Sequence, residues 1–310
     1  MALLKIFRDV LGTVFGQTDF GFCKDALPSG IYPLDLEFTL VEEKRFYSPK
    51  DCSGIPVRCY EKFGIQYNPT RVSAYALAHF NRYYTGCEES REPFLKMADW
   101  FLGQRSGRFE YSFDLGELKA PWISAMAQGE ALSVLTRAHG MEPERGYLDH
   151  AILAAKPLYT NIEDGGVRSK VNGLCEFLEE YPQENSPHTL NGFLYTLVGI
   201  LDLVDTSPSL AEQLGLGSLL DTLSQNWRLW DLGCWSAYDL HVSPAGYWNF
   251  TTINYHQIHI VLMKYIGEVT GRRELVECSA IWQSYMKCLP NRIKALNGKV
   301  KYRLDVPAER

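Results

Sequence analysis

ISAMAQGEALSVLTRA, residues 123–138, decides the fold, because its apolar side chains return at the 3.6-residue period of an α-helix rather than the two-residue period of a strand. The same period recurs on the N-terminal side in residues 72–84 and 94–104. On the C-terminal side it recurs in residues 147–158, 190–204, 209–230, 253–270 and 275–288. Turn and breaker clusters separate these runs: Thr85-Gly86, Gly140 to Pro143, Asp164-Gly165-Gly166, Thr206-Ser207-Pro208 and Gly271. Antiparallel helix pairs of this length bury their apolar faces well as an inner ring wrapped by an outer one. The pattern therefore predicts a mainly α chain, an (α/α) toroid or incomplete barrel with a cleft at one mouth. No exact repeat is present, which makes a solenoid the weaker alternative.

Strand character is confined to short pieces. Residues 30–40 alternate apolar and polar side chains, and residues 108–113 place Phe109, Tyr111 and Phe113 on one face of a further strand, expected in a β-hairpin. No Pro- or Ser-rich linker divides the chain. The expected layout is an N-terminal arm over residues 1–60, an (α/α) barrel over 61–290, and a basic tail over 291–310. That tail, with Lys294, Lys299, Lys301 and Arg303, reads as a solvated end. Residues 1–17 carry Leu3, Leu4, Phe7, Val10, Leu11, Val14 and Phe15 at helical spacing, interrupted by Lys5, Arg8 and Asp9. The spacing predicts a surface helix packed on the body, neither a signal peptide nor a stable membrane insertion.

The 310 residues are 46% hydrophobic with a net charge of -6, so the chain has the composition of a folded globular protein, and its acidic balance argues against nucleic acid as a partner. Eight cysteines lie scattered without a C-x-x-C pair, which predicts free thiols, no Cys-rich zinc site and a cytoplasmic location. The seven tryptophans belong more often in a core than along a sugar cleft, although indole faces serve both purposes.

The stretch Pro121 to Ala131 contains Trp122, Ser124-Ala125-Met126-Ala127-Gln128-Gly129 and Ala131, and resembles the W-x-S-A-M-A-Q-G-x-A segment of the D-glucuronyl C5-epimerases. In the same order follow Glu179-Glu180-Tyr181-Pro182, Leu190-Asn191-Gly192-Phe193-Leu194-Tyr195, Tyr238-Asp239-Leu240, and Tyr255-His256 with His259-Ile260. The firm similarity covers about Trp100 to Cys288. Looser matches lie upstream at Gly54-Ile55-Pro56 and Tyr67-Asn68-Pro69. Two departures stand out. The animal enzymes carry a large β-rich insertion between the equivalents of Tyr84 and Asp99, where this chain has a short linker, and the family has arginine at the position of His241.

The resemblance implies a uronyl C5-epimerase that converts glucuronate to iduronate units in a polysaccharide or glycan, works as a homodimer, and needs no cofactor or metal. Inverting C5 means removing the proton beside the carboxylate and returning one from the opposite face, so two groups must flank the ring. The matched positions supply Glu180 and Tyr181 as a base and its partner on one face, Tyr255 as proton donor on the other, and Tyr238 as a hydrogen bond to the enolate. Gln128, Asn191, His241, His256 and His259 are expected on the substrate side. Taken without the resemblance, Gln128 sits in a stretch of small residues that favours tight helix packing, and Asn191-Gly192 lets two helices approach closely. His256 and His259 have an i, i+3 spacing but no third metal ligand, so they read as buried, hydrogen-bonded histidines. Two rivals remain at this level: a polysaccharide lyase, which begins with the same proton abstraction, and a non-catalytic carbohydrate-binding relative.

Overall fold

The computed structural model describes residues 10–24 and 26–307. Four helices form an inner arc: α1 (Pro69–Tyr84), α3 (Ala125–Met141), α5 (Leu190–Thr206) and α7 (Ile253–Thr270), each packed on the next. Outer helices back them. These are α2 (Arg91–Leu102) against α1 and α3, α4 (Tyr147–Ala154) against α3, α6 (Leu216–Asn226) against α8, and α8 (Arg273–Lys287) against α7. Among the described residues no extensive contact joins α7 back to α1, so the ring is open. The chain is thus mainly α, an incomplete α/α toroid, as the helical period predicts.

Local chemistry sets the helix ends. Asn68 accepts the Arg71 N–H at 3.1 Å and Pro69 occupies the first turn of α1, while Thr252 caps α7, which stops at Gly271 in the left-handed region. Close approach of α3 and α5 depends on glycine. A Cβ on Gly129 would lie 2.4 Å from the Thr196 Cα, and one on Gly199 would lie 1.8 Å from the Gly129 carbonyl oxygen. Farther along the same interface, Arg137 and Asp202 form a fully buried ion pair at 2.5 Å. Asp202 also accepts the Ser133 hydroxyl and the Ser29 N–H, and Arg137 donates to the Gly30 carbonyl. With Asn81 of α1 bonded to the backbone of Tyr32 and Leu34, the N-terminal arm is stitched across three inner helices.

The strands form four two-stranded antiparallel hairpins between helices: β1 (Val57–Tyr60) with β2 (Gly64–Tyr67), β3 (Glu110–Tyr111) with β4 (Trp122–Ile123), β5 (Arg168–Val171) with β6 (Cys175–Leu178), and β7 (Ala237–Val242) with β8 (Trp248–Phe250).

Several segments depart from the sequence pattern. Residues 30–40 are not a strand: Ile31 and Leu34 make isolated bridges, and Glu37–Val41 is helical. Pro33 has no N–H to give a ladder, and the Asp35 carboxylate takes the Glu37 N–H, which favours a turn. The expected long helix over 209–230 breaks at Gly215, which adopts φ +63°, and the strand at 108–113 is only two residues long. The basic end is α9 (Leu289–Asp305), opened by Pro290 and packed on β8 and α8 through buried Ala295 and Tyr302. Of the N-terminal helix, residues 10–15 are helical and 1–9 lie outside the described residues. All eight cysteines are free. No described helix is long and apolar enough to cross a membrane.

Candidate active site

Glu180 and Tyr181 follow β6 after one residue, Glu179. The neighbouring Glu179 fixes this turn. Its carbonyl accepts the Ala125 N–H at the start of α3, and its buried carboxylate takes the Ser169 hydroxyl at 2.6 Å and faces the His188 imidazole at 2.5 Å. Glu180 lies over Gly192 of α5, where a Cβ would stand 2.5 Å from its own Cβ, and it accepts the Asn191 side-chain N–H at 3.2 Å. Burial raises its pKa to about 7, reinforced by the charge of Asp239 and opposed by the bonds from Tyr181 and Asn191.

The phenols of Tyr181 and Tyr238 extend the cluster outward, Tyr181 interacting with the Glu180 carboxyl group and Tyr238 with Tyr181. Burial pushes both phenols well above the ordinary tyrosine range, and the Glu180 charge adds to it. Tyr255, in the first turn of α7, meets Tyr238 edge to face at 5.4 Å between ring centres. It is 38% exposed, yet the dense surroundings raise its pKa to about 12. Trp122 closes the other side, 6.3 Å from the Tyr181 ring. All four residues expected to carry the chemistry thus meet in one place. Two open depressions on the outer surface, beside Arg91 and Arg145 and beside Asp51 and Tyr67, lie away from them.

The five expected substrate-side residues divide. Asn191 joins the cluster, but it is buried and holds Glu180. Gln128 is removed from the cleft: its amide accepts the Phe109 N–H at 2.7 Å and donates to the Gly107 and Ala154 carbonyls at 2.8 Å, bracing a loop against α3 and α4. His256 and His259 are also removed. Both are fully buried, both face the Ser236 hydroxyl, and His256 stacks on Trp235 at 3.8 Å. Burial lowers the His256 pKa to about 3. Reading them as buried, hydrogen-bonded side chains accounts for them. His241 is exposed near the C-terminal end of β7, its Nδ1 2.8 Å from the Tyr302 hydroxyl.

Three ionisable groups have no site role in the sequence reading. Asp239 is buried with its pKa raised to about 6 by burial, and it accepts the Asn249 amide at 2.8 Å. Lys299, on the α9 helix that reads as a solvated tail, donates to Asn249 at 2.8 Å and lies 5.5 Å from the centre of the Tyr238 ring; burial lowers its pKa to about 8. Glu130 of α3 is 3% exposed, its Oε2 has no hydrogen-bond partner, and burial followed by the Glu180 charge pushes its pKa well above the ordinary carboxylate range. An acid within the otherwise apolar or small-residue run of α3 was the available signal for Glu130. Nothing in the sequence pairs residue 299 with residue 238.

A buried carboxyl group and three phenols thus meet in an open helical toroid. Residues 103–284 match the model of the D-glucuronyl C5-epimerase C-terminus, and the chain belongs to that family. It is 32% identical over 219 residues to a D-glucuronyl C5-epimerase of Caenorhabditis elegans, an alignment covering 64% of this chain and 35% of the nematode protein. It is 28% identical over 135 residues to an uncharacterised protein of Methanocaldococcus jannaschii, covering 43% of this chain and 44% of that one. The alignments therefore span less than half the length of either relative. Among solved structures, an unsaturated glucuronyl hydrolase from Bacillus sp. GL1 superposes with a TM-score of 0.42 at 16% identity, covering 78% of this chain and 63% of that one, a likeness too low to argue from.

Proposed function

We propose that the protein epimerises D-glucuronate units of a polysaccharide or glycan at C5, giving L-iduronate. The observation that carries this reading is the gathering of Glu180, Tyr181 and Tyr238 in one buried cluster where each feels the others, with Tyr255 against Tyr238 on a different element. Glu180, with a pKa of about 7, is ionised often enough at neutral pH to accept a proton and neutral often enough to return one. Tyr181 takes the C5 proton as its own proton moves to Glu180, and the electron pair from the broken C–H bond enters the carboxyl group as an enediolate. Tyr255, held protonated by its high pKa, delivers a proton to the opposite face of C5. Its phenolate regains a proton from water at its exposed edge, and Glu180 releases the one it gained. Tyr238 steadies Tyr181 and can hydrogen-bond the enediolate.

Incubation of the purified chain with glucuronate-containing polymers in heavy water tests this by NMR at C5. Deuterated iduronate is the expected product. A new C4–C5 double bond, absorbing in the ultraviolet, would replace epimerisation with β-elimination. Binding with no exchange at all would reduce the protein to a carbohydrate-binding relative.

A further inference from the structure

Removing a proton beside a carboxylate puts a second negative charge on the same few atoms, so a uronate site requires a cation next to that carboxyl group. His241 does not supply it, being turned to Tyr302, and Lys299 is held by Asn249 behind the Tyr238 ring. Two guanidinium groups stand elsewhere on the rim. Arg58 is exposed on β1, with its guanidinium carbon 5.1 Å from the Tyr60 ring centre. From Tyr60 an unbroken series of ring contacts leads to the cluster: Phe113 at 4.5 Å, then Trp122 at 6.3 Å, then Tyr181 at 6.3 Å. The charge of Arg58 also reaches Tyr255, where it favours the phenolate against burial.

Arg71, in the first turn of α1, is near enough to feel the charge of Arg58. It donates to the Ser48 carbonyl at 3.0 Å, its guanidinium carbon is 5.9 Å from the Tyr47 ring, and its Nε is buried without a partner. Asn68 ties the two together, accepting the Arg71 N–H and donating to the Tyr60 hydroxyl at 2.9 Å. Neither arginine forms an ion pair with a carboxylate among the described residues. Two like charges that sense each other and have no carboxylate partner among the described residues suit an anion.

We propose that Arg58, with Arg71 near it, binds the carboxylate of the uronate whose C5 is inverted. This rests on the C5 reading above. The test is titration of the intact chain, its Arg58→Gln and Arg58→Lys variants with a glucuronate oligosaccharide and with its carboxyl-reduced, neutral counterpart. Arg58→Gln is expected to weaken binding of the acidic sugar by roughly 10- to 100-fold, leave the neutral sugar unchanged and keep the melting temperature, with Arg58→Lys in between. An oligosaccharide with one glucuronate, at the reacting position, separates that carboxylate from flanking ones and is expected to show the full effect. Equal loss for acidic and neutral sugars, wild-type affinity in Arg58→Gln, or an effect that vanishes with the single uronate would each overturn the assignment. Charge-selective binding by a wild-type chain that exchanges no C5 deuterium would support the subsite and sink the epimerase reading instead.

Discussion

Glu180 is the side chain whose environment makes the strongest quantitative demands. The proton-accepting form is the carboxylate, so activity rises with pH through about 7 and levels off above it. Asn191 donates to that carboxylate, and removing the donor favours the neutral acid. Asn191→Ala is therefore expected to move the acid limb of the pH–rate profile to higher pH, whereas Asp239→Asn, which deletes a negative charge felt by Glu180, moves it lower. Opposite displacements in the two profiles are the check; a common direction would contradict the electrostatic assignment. The same burial has a cost in stability. With an unfolded pKa of about 4.3, the raised folded value favours folding fully only below that pH, and the advantage is lost as pH rises through about 7. Glu180→Gln should abolish turnover yet raise unfolding free energy by about 3 kcal/mol above pH 7, and by little at pH 4, in urea titrations. The motif segments made Glu180, Tyr181, Tyr238 and Tyr255 legible in the sequence. Asp239 and Lys299 were not, because their meaning comes from a shared bond to Asn249, and neither residue pattern nor spacing records that contact.

At the level of elements, glycine decides how near the helices and the acid stand. Gly192→Ala would place a methyl group 2.5 Å from the Glu180 Cβ, so the acid must shift. This variant is expected to lower kcat at least tenfold while α5 keeps its helix, since alanine favours helix over glycine. Gly199→Ala instead strikes the Gly129 carbonyl at 1.8 Å, forcing α3 and α5 apart; its expected signature is a loss of stability of about 2 kcal/mol or more in thermal unfolding. Helix positions were legible because a 3.6-residue apolar period survives in each of them. Boundaries were less so: Gly215 ends a helix that periodicity alone would continue, and α9 escaped because its buried side chains, Ala295 and Tyr302, are too few to stand out among its lysines. Residues 30–40 show the converse. Alternation imitates a strand there, but a proline and an aspartate carboxylate select turns.

Across the whole molecule, the ring is held from the inside by charge. Arg137 and Asp202 are wholly buried, so deleting one leaves the other uncompensated; Asp202→Ala is expected to cost about 3–5 kcal/mol, measured by denaturant unfolding, and to loosen the N-terminal arm that both residues bind. This pair lies one helical turn and more from the cluster along α3 and α5, which leaves the mouth free to carry groups chosen for chemistry rather than stability. The central claim is that two different side chains handle the proton on the two faces of one sugar ring. Its most direct measurement is the appearance of C5-deuterated iduronate from a glucuronate polymer in heavy water, compared between the wild-type chain and Tyr255→Phe. Loss of the donor is expected to reduce deuterated iduronate by about 10²-fold or more, and formation of that product by Tyr255→Phe at the wild-type rate would contradict the account.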